Sequence, residues 1–100
     1  MHKSLAQIVQ AEVEQYAGNT HDAQLYAISD WERQIFTIVA VPQLEEERPA
    51  WVMLMARVLG DTIVIEEDTA LDKPLHEALI INQDIPREKI VLAYKGEKLP

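Results

Sequence analysis

The sequence predicts an α+β fold: a single antiparallel sheet with two helices packed on it, in the order α-β-β-β-β-α-β. Three observations carry this. Apolar residues recur at helical spacing near the N-terminus and again after residue 72. Between them, period-2 alternation or continuous apolar runs fill residues 24 to 67. Short turn signals join those runs into a meander. One hundred residues set a single domain, 1–100. With 48% apolar and 26% charged residues the chain is too hydrophobic to stay disordered.

In the first helix, residues 4 to 17, Leu5, Ile8, Val9, Val13 and Tyr16 form one stripe. Ser4 with Gln7 three residues later is a capping-box pattern, Glu12 and Glu14 fall on the wet side, and Gly18-Asn19 supplies the stop. Gln24 to Asp30 is the first strand, with a tight turn at Ser29-Asp30-Trp31-Glu32, and Gln34 to Val41 is the second, rich in β-branched residues. The acidic, proline-closed segment Pro42 to Pro49 connects it to a third strand, Ala50 to Leu59. Gly60-Asp61 then turns the chain into a fourth strand, Thr62 to Glu67, with Gly60 suited to a type II′ turn. Asp72-Lys73-Pro74 opens the second helix, where Leu75, Ala78, Leu79 and Asn82 share a face and Ile80 and Ile81 widen the apolar arc. Pro86 to Lys89 adds a turn before a fifth, short strand from Ile90 to Tyr94.

Strand patterning has a further consequence. In the third strand both alternating sets are apolar: Trp51, Met53, Met55 and Leu59 on one side, Val52, Leu54, Ala56 and Val58 on the other. The second strand repeats this, with Ile35, Val39 and Val41 opposite Phe36, Ile38 and Ala40. Strands apolar on both faces are normally covered on both, and two helices roof only one. The pattern therefore predicts a homo-oligomer, most simply a two-fold dimer.

Charge and composition exclude several chemistries. Seventeen acidic against nine basic residues give a net charge of −8, which disfavours direct nucleic-acid contact. The absence of cysteine removes disulfides, thiolate metal sites and cysteine nucleophiles. No apolar run approaches the roughly 20 residues of a membrane helix, and the N-terminus lacks a secretory pattern, so the expected location is cytoplasmic without membrane association. His2, His21 and His76 are scattered, predicting no metal site. Glu66-Glu67-Asp68 is the sharpest acidic cluster, but adjacent strand residues point to opposite faces, so Glu66 and Glu67 read as a strand end rather than a carboxylate pair. Glu45-Glu46-Glu47 reads as a solvated loop. The serines and glycines match no nucleophile elbow and no phosphate loop. From Pro86 onward four bases face two acids, which reads as a solvated, locally basic tail.

Three segments carry a resemblance: Gly60-Asp61-Thr62-Ile63-Val64-Ile65-Glu66-Glu67-Asp68-Thr69, then Leu75 to Leu79, then Ile85-Pro86-Arg87-Glu88-Lys89-Ile90-Val91-Leu92-Ala93-Tyr94. Together they resemble the XisI family, cyanobacterial factors controlling excision of the fdxN element. That family typically shows a strand close to G-K-I-W-I-Q-x-D, a short helix, and G-I-P-K-E-D-I-V-L-A-F. The N-terminal helix ending near Tyr16 and the turn Asp30-Trp31-Glu32-Arg33 agree as well. The chain departs from the pattern at Asp84, where members usually carry Gly, at Val41-Pro42 in place of Gly-Trp, and at Asp68-Thr69-Ala70-Leu71 in place of D-G-T-E.

The resemblance implies a non-enzymatic control factor without cofactor, acting through a protein partner such as a recombinase or an XisH-like companion. Charged and aromatic residues of the resembling segments, Glu66, Glu67, Asp68, Arg87, Lys89 and Tyr94, are the candidate partner contacts. Two alternatives are a small DNA-binding excision-directionality protein and an enzyme built on the carboxylates Glu66, Glu67 or Asp68.

Overall fold

The computed structural model describes residues 3–43, 49–70 and 72–99. Helix α1 (Leu5–Glu14) begins at the expected capping box: the Gln7 amide N–H donates to Ser4 Oγ (3.1 Å), and the Ser4 N–H donates to Gln7 Oε1 (2.8 Å). It ends a turn earlier than its apolar stripe. Gly18 and Asn19, the expected stop, form instead a two-residue strand, β1 (Gly18–Asn19). Gly18 has φ +142°, which a side chain would disfavour.

A meander follows: β2 (Ala23–Asp30), β3 (Ile35–Pro42), β4 (Trp51–Leu59) and β5 (Thr62–Asp68). The turn between β2 and β3, residues 31–34, lies two residues later than expected. Asp30 holds it, accepting the Arg33 N–H (3.0 Å) and pairing with its guanidinium (3.0 Å), and Gln34, expected in a strand, takes φ +54° there. At the β4–β5 turn Gly60 has φ +63° while Asp61 keeps an ordinary negative φ, as a type II′ turn requires. Residues 45–47 of the acidic connection lie outside the described residues.

Helix α2 (Leu75–Gln83) follows Pro74, which occupies the cap rather than the first helical position. Asp84 ends it at φ +59°, the left-handed conformation that suits glycine. A 3₁₀ turn (Arg87–Lys89) leads to β6 (Ile90–Leu92), and a second one (Ala93–Lys95) replaces the expected end of that strand.

The sheet order is β1-β2-β3-β4-β5-β6. Every pair is antiparallel except β5–β6, which is parallel because α2 carries the chain back across the sheet. The fold class is therefore as expected, with two refinements: the added β1, giving the order α-β-β-β-β-β-α-β, and the parallel last strand.

Both helices cover the same face. Val9 and Val13 of α1 and Leu75 and Leu79 of α2 pack with Phe36, Ile38, Leu54, Ala56, Ile63 and Ile65 into one core. Ile81, expected to widen the apolar arc of α2, is 65% exposed on its outer side. A bulge changes the face assignment in β4. Register passes from Ile38↔Leu54 to Val39↔Val52, skipping Met53. Trp51 therefore shares a face with buried Ala40, and Val52 comes to the open face, reversing the expected sides of those two residues.

Candidate interaction site

A second bulge governs the acidic cluster. Met55 pairs with Glu67 and Ala56 with Ile65, so Glu66 is the extra residue. Glu66 pairs with Arg57 (2.5 Å), and Arg57 and Met55 lie on the same, open side of β4. The expected opposition of Glu66 and Glu67 is thus lifted by the bulge. Each of the three acids is occupied locally. Glu67 Oε1 accepts the Asp68 N–H (3.0 Å). Asp68 accepts the N–H groups of Ala70 (3.0 Å) and Leu75 (2.8 Å), fixing the loop that enters α2 and capping its first turn.

The basic segment is also folded rather than a solvated tail. Arg87 donates to the Ile90 carbonyl (2.7 Å) and pairs with Glu97 (2.6 Å). Glu97 in turn accepts the Leu92 N–H (2.8 Å), and the Glu97 N–H donates to the Leu92 carbonyl (3.1 Å). These contacts close the outer edge of β6. The Leu92 N–H first, and the Arg87 guanidinium second, hold the Glu97 carboxyl below its usual range. Tyr94 is half-buried against the core with Lys95 5.9 Å from its ring centroid, and its hydroxyl is pushed up by burial and by Asp68 and Glu67. Lys89 stands exposed. The structure thus brings Glu67 and Asp68 within electrostatic reach of Tyr94, with Glu66 on Arg57 of the neighbouring strand and Arg87 on Glu97.

A different feature was invisible in the strand pattern. An open groove of about 490 Å³ lies where the end of α1, β1 and the entry to α2 meet, lined by Glu12, Tyr16, Asp72, Lys73 and Asn82 among others. Glu12, expected on the wet side of α1, is 5% exposed. Its carboxylate accepts Gln83 Nε2 (2.8 Å) and Asn82 Nδ2 (3.4 Å) from the last turn of α2, and among the described residues no cation pairs with it. The clue in the sequence is spacing: position 12 falls inside the stripe that runs from Leu5 through Val9 to Tyr16. Tyr16 donates its hydroxyl to the Lys73 carbonyl (2.7 Å). Burial, then the negative charges of Asp68, Glu12 and Glu77, push its pKa up to about 12. The groove therefore sets the carboxylates of Glu12 and Asp72 among apolar residues, with Lys73 the one cation in its wall among the described residues. Such a site can receive an ammonium or guanidinium group, whose charge would answer Glu12.

No helix among the described residues is long and apolar enough to cross a membrane. No curated protein matches the chain. Among solved structures, an XisI-like protein from Anabaena variabilis is similar at 19% identity and a TM-score of 0.65, over 88% of this chain and 78% of that one. The fdxN element excision controlling factor XisI from Anabaena variabilis is similar at 17% identity and a TM-score of 0.68, over 89% of this chain and 88% of that one. At these identities the likeness shows the shared fold. The family model described as XisI protein matches residues 1–99, and the chain belongs to the XisI family.

Proposed function

We propose that this chain is a non-enzymatic accessory factor that controls excision of a DNA element by docking on a basic, DNA-handling protein, a recombinase or an XisH-like companion. Family membership supports the role in excision control. The observation that carries the mode of action is the groove at α1 and α2. There Glu12 and Asp72 lie in the wall beside apolar residues and Lys73, and Asp68 and Glu77 are close enough to act on the Tyr16 hydroxyl, a combination that favours a lysine or arginine side chain on a protein partner. The net charge of −8 adds long-range steering toward such a partner and opposes direct contact with phosphate.

The test uses Asp72 and Glu77, both exposed, so that charge can be reversed without disturbing the core. Wild-type chain and the Asp72→Lys/Glu77→Lys variant are titrated against the purified recombinase and companion from the same genome. The expected result is binding of one of them by wild type, weakened about tenfold or more in the variant and most strongly at low salt. Equal binding by both chains, or binding by neither, overturns the proposal.

A further inference from the structure

The two edges of the sheet are finished differently. On β6 the outward groups are occupied: the Ile90 carbonyl by Arg87, and the Leu92 N–H and carbonyl by Glu97. On the other edge, β1 pairs only with Gln24 and Leu25. From Tyr26 to Asp30 no strand or side chain among the described residues lies hydrogen-bonded along the outer side of β2.

Contacts at the start of β2 fix which of its backbone groups point outward. The Asp22 carbonyl accepts from Gln43, beyond the end of β3, whereas the Ala23 carbonyl accepts from Thr20, on the β1 side. The β2–β3 register runs without a break from Ala23↔Pro42 to Asp30↔Ile35, so the alternation persists along the strand. Ala27 and Ser29 therefore present both N–H and C=O to the open edge, while Ile28 faces inward, its carbonyl accepting from Thr37 Oγ1 (2.7 Å).

We infer that this edge is completed by β2 of a second copy of the chain, paired antiparallel about a two-fold axis at Ile28. That centre alone satisfies all four outward groups within the free stretch: Ala27 exchanges two hydrogen bonds with Ser29 of the other copy, and Ser29 with Ala27. An axis at Ala27 would set Ser29 against Leu25, where β1 already sits, and an axis at Ser29 would set Ala27 against Trp31, which is in the turn. Charge favours self-pairing as well. In a chain of net charge −8, residues 26 to 30 carry one charge, Asp30. Asp30 already holds Arg33 and comes opposite Tyr26, not opposite itself. The pairing also buries apolar side chains, since Tyr26 is 50% and Ile28 54% exposed, and the two Ile28 side chains meet at the axis as a close, non-hydrogen-bonded pair.

The chain has no cysteine, so one can be introduced as a reporter. Non-hydrogen-bonded partners have Cα atoms about 4.5 Å apart, within disulfide reach. Ile28→Cys is expected to form an intermolecular disulfide under mild oxidation, whereas Val52→Cys, on the open sheet face, stays monomeric. Sedimentation at about 100 µM, a concentration suited to an interface at the small end of the range, is expected to give a dimer for wild type. Ala27→Pro, which removes an outward N–H and leaves the β2–β3 ladder its donors, is expected to give a folded monomer by circular dichroism. A monomeric wild type, an Ile28→Cys chain that does not cross-link, or a dimer cross-linked through Val52→Cys overturns the inference. If Ala27→Pro fails to fold, the cysteine pair decides alone.

Discussion

Leu54 and Met55 are neighbours in β4, yet they inhabit different environments. Leu54 is completely buried under α1 and α2, while Met55 lies half-buried on the open face beside the Arg57–Glu66 pair. The covered face holds the core, built from apolar residues of both helices and from every second residue of the strands. The open face is apolar too, through Tyr26, Ile28, Val41 and Val52, all more than a third exposed. Its central charge pair is self-neutralised, so the strong acidity of the chain resides elsewhere. An apolar sheet surface of this kind, left uncovered by both helices, is available for contacts outside the fold.

The largest expected effect comes from testing that contrast directly. Leu54→Ala opens a cavity in a fully packed site and is expected to lower unfolding free energy by about 2–5 kcal/mol. Met55→Ala, one residue along, is expected to lower it by less than about 1 kcal/mol, because much of its surface is already wet. Urea denaturation of both variants at low protein concentration measures the difference. Comparable losses would mean that the open face is covered as well.

Much of the covered face was legible in the sequence because it depends on periodicity. The stripe Leu5, Val9 and Val13 and the buried alternation Phe36, Ile38 and Ala40 are where the spacing places them. Features that break a period were hidden. The bulges at Met53 and Glu66 insert one residue into a two-residue repeat, which moves Trp51 and Val52 to exchanged faces and brings Glu66 onto Arg57. Glu12 was half legible: its place in the stripe is in the sequence, but what lets a carboxylate be buried there is not. Its burial is licensed by two amides, Asn82 and Gln83, some seventy positions away, and local pattern carries no information about them. The parallel pairing of β6 likewise follows from where α2 delivers the chain, not from the residues Ile90 to Leu92 themselves.

What holds the helical cover in place gives a smaller effect. The Tyr16 hydroxyl ties the end of α1 to the Lys73 carbonyl at the entry to α2. Tyr16→Phe is expected to cost about 1 kcal/mol, the usual net value of one hydrogen bond. The same variant has a signature in pH. The pKa of Tyr16 is raised from 10.0 to about 12, so the fold favours the neutral phenol. Its contribution is complete below the unfolded value of 10.0 and is lost as pH rises toward about 12. Wild type should therefore lose stability across that window faster than Tyr16→Phe, and the two urea midpoints should converge. Parallel decline would show that the phenol is not differentially held.

The smallest effect lies at the other end of the cover, where α2 returns the chain to β6. Asp84 sits at φ +59°, a conformation that suits glycine. A left-handed conformation is mildly unfavourable for aspartate, and a carboxylate at a helix C-terminus also meets the negative end of the helix dipole. Asp84→Gly relieves both, offset in part by the greater freedom of glycine in the unfolded chain, for a net gain of about 0.5 kcal/mol or roughly 2–4 °C in Tm. Asp84→Ala removes the same charge but adds the full penalty of a left-handed alanine, so its Tm should fall. The opposite signs separate backbone conformation from charge. If both variants rise together, the carboxylate at the helix end outweighs the backbone conformation.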